Sequence, residues 1–206
     1  MQIRLENCGR RYNAEWIFRR CNLELSSGHA YAVLGRNGSG KSTLLQVISG
    51  RLIPSEGKVI YSDAVTMVHP DQFYKYLSLA APYQEVIEEF TLVEMLDFHS
   101  GFRTWINDYS MEQLVDIMEL RKSRNKAVRY FSSGMKQRLK LALAILTDTP
   151  ILLLDEPLSN LDQQGYEWYK KMMVEFSGKR LVIVCSNSHD DEMGFCDQKI
   201  LIEDYK

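Results

Sequence analysis

The stretch Gly35-Arg36-Asn37-Gly38-Ser39-Gly40-Lys41-Ser42 constrains this chain more than any other segment. Preceded by the apolar AYAVL and followed by KSTLLQVISG, it reads as a strand that passes through a glycine-rich turn into a helix closed by Gly50. Every fixed position of the GxxxxGK[ST] pattern is met. Glycines let the backbone fold tightly, so that successive N–H groups between Gly35 and Thr43 converge on phosphate oxygens. Lys41 supplies charge for β- and γ-phosphates, and the Ser42 hydroxyl suits Mg²⁺.

Two further stretches extend this chemistry. ILLLDEP reads as a continuously apolar strand, buried on both faces, that ends in two adjacent carboxylates. Asp155 would point into a Mg²⁺ shell, and Glu156 would polarise the water that attacks a phosphate. YFSSGMKQRLKLALAIL places Ser132, Ser133 and Gly134 where an amphipathic helix begins. A helix start exposes free N–H groups and a positive dipole end, so it forms a second anion cradle in the same chain.

Composition narrows the remaining classes. A chain of 206 residues, 45% of them hydrophobic, is long enough to bury a real core. Its net charge of −2 gives no global basic field for nucleic acid, and Arg10-Arg11 and Arg19-Arg20 read as solvated surface. The four cysteines lack CxxC spacing and fit a reduced cytosolic compartment, and the four histidines form no metal motif. Nothing resembles a signal peptide, and no apolar run approaches the roughly 20 residues that span a bilayer. A soluble chain, or one held at a membrane by another protein, is expected.

The opening third reads as strands at IRLEN, FRRCNLEL and AYAVL, with Cys21, Leu23 and Leu25 on one face of the second. GKVIYSD and YLSLAAP are further strands. From about residue 85 to 130 the pattern turns helical, with capping boxes at Thr91–Glu94 and Ser110–Gln113. Met111, Leu114, Val115 and Met118 then fall at helical spacing and read as core. Asp162 caps a helix running toward Gly178, RLVIVCS is the next buried strand, and QKILIED is the last. The expected fold is α/β, one domain over 1–206, with 1–84 and 131–206 as the catalytic core and 85–130 as a helical insertion.

Taken together, these motifs resemble the nucleotide-binding subunit of an ATP-binding-cassette (ABC) transporter over nearly the whole chain. GRNGSGKST looks like the family's Walker A motif, ILLLDEP like its Walker B with the following glutamate, FSSGMKQR like its signature and SNLD, through Asp162, like its D-loop. The resemblance implies a P-loop NTPase core of ABC type, with an antiparallel β subdomain and a helical subdomain. It implies ATP and Mg²⁺ as ligands. A second copy would associate head to tail, so that Ser132 and the backbone at Ser133 and Gly134 hold the partner's γ-phosphate. Tyr12, with Gly28 in the intervening turn, falls in the register of the tyrosine that stacks on adenine.

Three departures stand out. The signature reads Ser-Ser-Gly-Met where the family usually has Ser-Gly-Gly-Gln. Counting from the strand end and back from Cys196-Asp197 places the family's switch histidine at Asn187, with His189 displaced by two residues. Asparagine can donate to phosphate but carries no proton or charge, so slower turnover is expected. The family's loop glutamine, which senses both Mg²⁺ and the membrane partner, counts strictly to Pro82, while Gln84 is the nearest glutamine. Phe90, Phe98 and Phe102 lie where the family meets its permease, and belong to that contact or to the core. The resemblance therefore implies an exporter-like ATPase on the inner face of the membrane, with a separate permease. Its rival is a soluble ABC-type ATPase or a weakly hydrolysing regulatory subunit.

Overall fold

The computed structural model describes every residue except 64, 65, 188 and 189, so His189 lies outside the described residues. Strands β1 (Gln2–Tyr12) and β2 (Glu15–Ser26) form a hairpin closed by Asn13 and Ala14, with Asn13 at φ 53°, a left-handed conformation that asparagine tolerates. With β4 (Glu56–Ser62) and β5 (Met67–Val68) they make an antiparallel sheet in the order β2-β1-β4-β5. On β1, Ile3 and Leu5 point inward, then a register shift at Asn7 (φ 48°) hands the inward position to Cys8. Gly57 on β4 lies against this irregularity, where a Cβ would sit 2.3 Å from the carbonyl oxygens of Glu6 and Asn7.

The second sheet is parallel, with five strands in the order β6-β7-β8-β3-β9. These are β3 (Ala30–Leu34), β6 (Leu77–Ala80), β7 (Ile151–Asp155), β8 (Leu181–Ser186) and β9 (Gln198–Leu201). Every residue of β7 and β8 is buried, as a strand covered on both faces demands. Alternation then divides the core. Val33, Leu153 and Ile183 pack with helix α1 (Lys41–Ile48) and the antiparallel sheet. Leu152, Leu154, Val182 and Val184 pack on the other face, with α4 (Ser133–Ile145) and α5 (Gln163–Phe176). In register, Leu34 lies opposite Ser186 and Asp155 opposite Cys185, so the loops leaving β3, β7 and β8 emerge along one edge.

Helices α2 (Leu92–Ser100) and α3 (Met111–Ile117) start at the two capping boxes, and both boxes are reciprocal. Leu114, Val115 and Met118 are buried and Met111 packs partly against them. Helix α5 is capped by Asp162, whose Oδ1 accepts the Gly165 N–H at 2.9 Å, but it stops at Phe176. A short α6 (Asp190–Met193) precedes β9. β9 itself ends at Leu201, and Ile202–Tyr205 turn into a 3₁₀ helix where the sequence pattern continues a strand.

His99 on α2 is half-buried, its Nε2 2.8 Å from Thr147 Oγ1 and its ring 4.7 Å from that of Trp105. Burial, and then the charge of Arg103, push its pKa down from 6.5 to about 4. Between those values the unfolded chain takes up a proton that the folded chain refuses, so stability falls as pH falls through that window. His99→Gln keeps a donor for Thr147 without titrating. Denaturation between pH 4 and 7 is expected to show a shallower acid slope in that variant, and an unchanged slope would refute the assignment.

Candidate functional site

Three strand ends supply the site. After β3 the chain reverses through Gly35–Gly40, with Gly38 at φ 77° and Gly40 at φ 106°. Gly40 is the N-cap of α1 and offers no side-chain cap, so the helix start presents backbone N–H groups without a side-chain acceptor. Arg36, Asn37 and Gly38 are exposed, whereas Ser39 is buried and its Oγ has no hydrogen-bond partner among the described residues. Thr43 lies half-buried one position after Ser42 on the first turn.

Lys41 is only 4% exposed, and its ammonium is fully engaged. Nζ donates to the carbonyls of Gly35 (2.9 Å) and Arg36 (3.1 Å) and to Asn187 Oδ1 (2.5 Å). Asn187 Nδ2 donates in turn to Glu156 Oε1 at 3.0 Å. The ammonium can only donate and the carboxylate only accept, so this chemistry fixes which way the amide points. Lys41, Asn187 and Glu156 are thus one connected network drawn from three strand ends. Glu156 adopts φ 47°, uncommon for a residue with a side chain, and its N–H donates to the Cys185 carbonyl at 2.9 Å.

Asp155 is 2% exposed, and its Oδ1 lacks a hydrogen-bond partner among the described residues. Burial raises its pKa, the Ser42 hydroxyl bonded to it lowers it, and the neighbouring Glu156 charge raises it. A buried carboxylate with an orphaned oxygen, beside a hydroxyl, is a donor set that fits Mg²⁺ completed by phosphate oxygens.

The other sequence-derived residues fall outside this network. Ser132 caps α4, its Oγ accepting the Met135 N–H at 3.2 Å, and Ser132 and Ser133 are exposed. Gly134 abuts the loop after β7: a Cβ there would lie 3.1 Å from the Asn160 carbonyl oxygen. Tyr12 ends β1, 46% exposed, with the Arg10 guanidinium 4.8 Å from its ring centre. Gln84 turns back on its own loop, its Oε1 accepting the Ala81 N–H at 3.1 Å. Tyr83, which the sequence did not single out, is the residue of this loop that feels the charge of Asp155. It bonds Gln46 of α1, and burial followed by the charge of Asp155 pushes its phenol pKa up. Both Tyr83 and Gln84 line a cleft of about 640 Å³ with Arg51, Met95, Arg103 and Lys140. Beside that cleft, Phe90, Phe98 and Phe102 form an edge-to-face ladder, with Phe102 73% exposed.

Comparison with known proteins bears on the family and the fold. The family model described as ABC transporter matches residues 18–159. A cytochrome c biogenesis ATP-binding export protein, CcmA of Rhizobium etli, is 34% identical over 167 residues, 79% of this chain and 76% of its own length. The bacitracin transport ATP-binding protein BcrA of Enterococcus faecalis is 26% identical over 91% of this chain, and the uncharacterized ABC transporter ATP-binding protein YcbN of Bacillus subtilis is 28% identical over 86%. The match spans only 58% of YcbN and 61% of BcrA. Among solved structures, a putative ABC transporter ATP-binding protein from Pyrococcus furiosus superposes with a TM-score of 0.83 over 100% of both chains at 20% identity. A bacterial ABC transporter cassette solved as a dimer gives 0.79 at 23% identity, over 97% of this chain and 93% of its own. Among the described residues, no helix is long and apolar enough to cross a membrane.

Gly40 offers a direct test of the loop's geometry. A Cβ there would sit 2.4 Å from Ile17 Cγ2, and its φ of 106° disfavours any side chain. Gly40→Ala is expected to destabilise the protein by about 1–3 kcal/mol in chemical denaturation, and wild-type stability would contradict the loop as described.

Proposed function

Because the chain belongs to the ABC transporter family, we propose that it binds and hydrolyses ATP with Mg²⁺, and that its pairing with a second cassette drives a separate membrane permease. The observation that carries this reading is the network in which Asn187 joins the phosphate-loop lysine to Glu156. In it, Lys41 is held among three oxygen acceptors, which the oxygens of a triphosphate would replace. Asn187 has two amide hydrogens: one serves Glu156, and the second is available to a γ-phosphate. Ser42 and Asp155 would hold the cation, which when bound neutralises charge on the β- and γ-phosphates.

In the reaction, Glu156 accepts a proton from water as the water oxygen bonds to the γ-phosphorus. The bond from that phosphorus to the β–γ bridging oxygen breaks, and ADP leaves with the electron pair. Ser132, Ser133 and Gly134 serve the nucleotide of the second copy, and Tyr12 stacks on adenine. Asp162 belongs to the loop between these edges. Gln84 and the Phe90–Phe98–Phe102 ladder face the permease, with the 640 Å³ cleft as its seat on the cytoplasmic side of the membrane. ATP shared between two chains favours their closure, and its cleavage favours their opening.

Paired variants test the core of this scheme. Lys41→Ala is expected to lower ATP turnover about 100-fold or more. Glu156→Gln should keep nucleotide binding while accumulating an ATP-bound dimer, read by size-exclusion chromatography with light scattering. Undiminished turnover in the first, or a strictly monomeric second variant with ATP, overturns the scheme. Asn187→His is expected to hold or raise the turnover rate, since an imidazole can also accept from Lys41 and donate to Glu156. A collapse would mean that the amide makes a contact that an imidazole cannot replace.

A further inference from the structure

We propose that the turn at Ile202–Lys206 is a strap that holds the phosphate loop from behind, with Glu203 and Lys206 as positioning residues for nucleotide. The proposal rests on the reading of Gly35–Thr43 as an ATP site. The strap is anchored by Ile202, which is fully buried in the core shared with α1 and β3. It seats directly under the start of the loop. A Cβ on Gly35 would come within 2.5 Å of Ile202 Cγ2 and 2.9 Å of Glu203 Oε1. No other residue than glycine fits against it.

Two polar contacts then fix the loop from its outer side. The Arg36 N–H donates to Glu203 Oε1 at 3.2 Å. Lys206 Nζ donates to the Ser39 carbonyl at 2.7 Å and to the Ile17 carbonyl of β2 at 2.8 Å, tying loop to sheet. Backbone N–H groups at Glu203 itself and at Arg36 hold the Glu203 carboxyl below its ordinary range, which keeps it charged as an acceptor. The loop's inward N–H groups must converge on phosphate, so its outward groups need partners that do not compete for the ligand. The strap supplies those partners at Arg36 and Ser39. A loop fixed before nucleotide arrives loses less freedom on binding, so the strap acts on affinity. It touches neither Asp155 nor Glu156 among the contacts that hold it, so the chemical step is spared. Its two charges are opposite, so a triphosphate meets no net repulsion from the pair.

ATPase kinetics and ADP calorimetry on Lys206→Ala, Lys206→Arg, Glu203→Ala and Glu203→Gln test the strap. Lys206→Ala is expected to raise both KM for ATP and Kd for ADP about fivefold or more, with kcat within about twofold of wild type. Lys206→Arg and Glu203→Gln keep the donor and the acceptor, and should return KM to within about twofold of wild type; Glu203→Ala should not. Simple loss of folded protein would lower kcat per mole and leave KM unmoved. Wild-type KM and Kd in both alanine variants, or a fall in kcat alone, overturns the strap. A wild-type chain that binds no ADP sinks the ATP reading with it, whereas wild-type binding with unmoved variants removes the strap alone.

Discussion

The parallel pairing of β7 and β3 with β8 is the constraint from which the site follows. Because Asp155 lies opposite Cys185 and Leu34 opposite Ser186, three chain segments far apart in sequence leave the sheet at one level. Each strand is buried on both faces, so its apolar side chains cannot slip by one residue without exchanging the two cores. The hydrophobic alternation that places Leu153 beneath α1 and Leu154 beneath α4 thereby also fixes where Asp155 stands. Packing, not any polar contact, sets the position of the carboxylate.

Polar groups brought to such an edge must find partners, and the structure gives nearly all of them one. Lys41 is almost wholly buried yet satisfied by three oxygens. Glu156 takes an unusual backbone conformation and still donates its N–H to Cys185. The orphans are informative by contrast. Among the described residues, Asp155 Oδ1 and Ser39 Oγ are buried without hydrogen-bond partners and flank the loop on which phosphate chemistry was expected.

Much of this was legible in the amino-acid sequence because the relevant signals are local. The glycine spacing, the apolar run before Asp155, the two capping boxes and the Asp162 cap each involve residues within a few positions, and each forms as read. The register that placed Asn187 opposite the loop could be counted, but its simultaneous contact with Lys41 and Glu156 could not, since it spans 146 and 31 positions. Tyr83 and Lys206 carry no local pattern at all. The strand read through QKILIED breaks at Ile202 because the turn there packs under Gly35, a tertiary demand that overrides local alternation.

The close approach of Gly134 to the Asn160 carbonyl has a mechanical consequence. The serine-rich edge and the segment after the paired acids are in close contact within a single molecule, and a methyl group between them would require the neighbouring carbonyl to give by a few tenths of an ångström. Neither can move toward the other without displacing it. A push from either segment toward the other is therefore passed on by direct contact, without any intermediary.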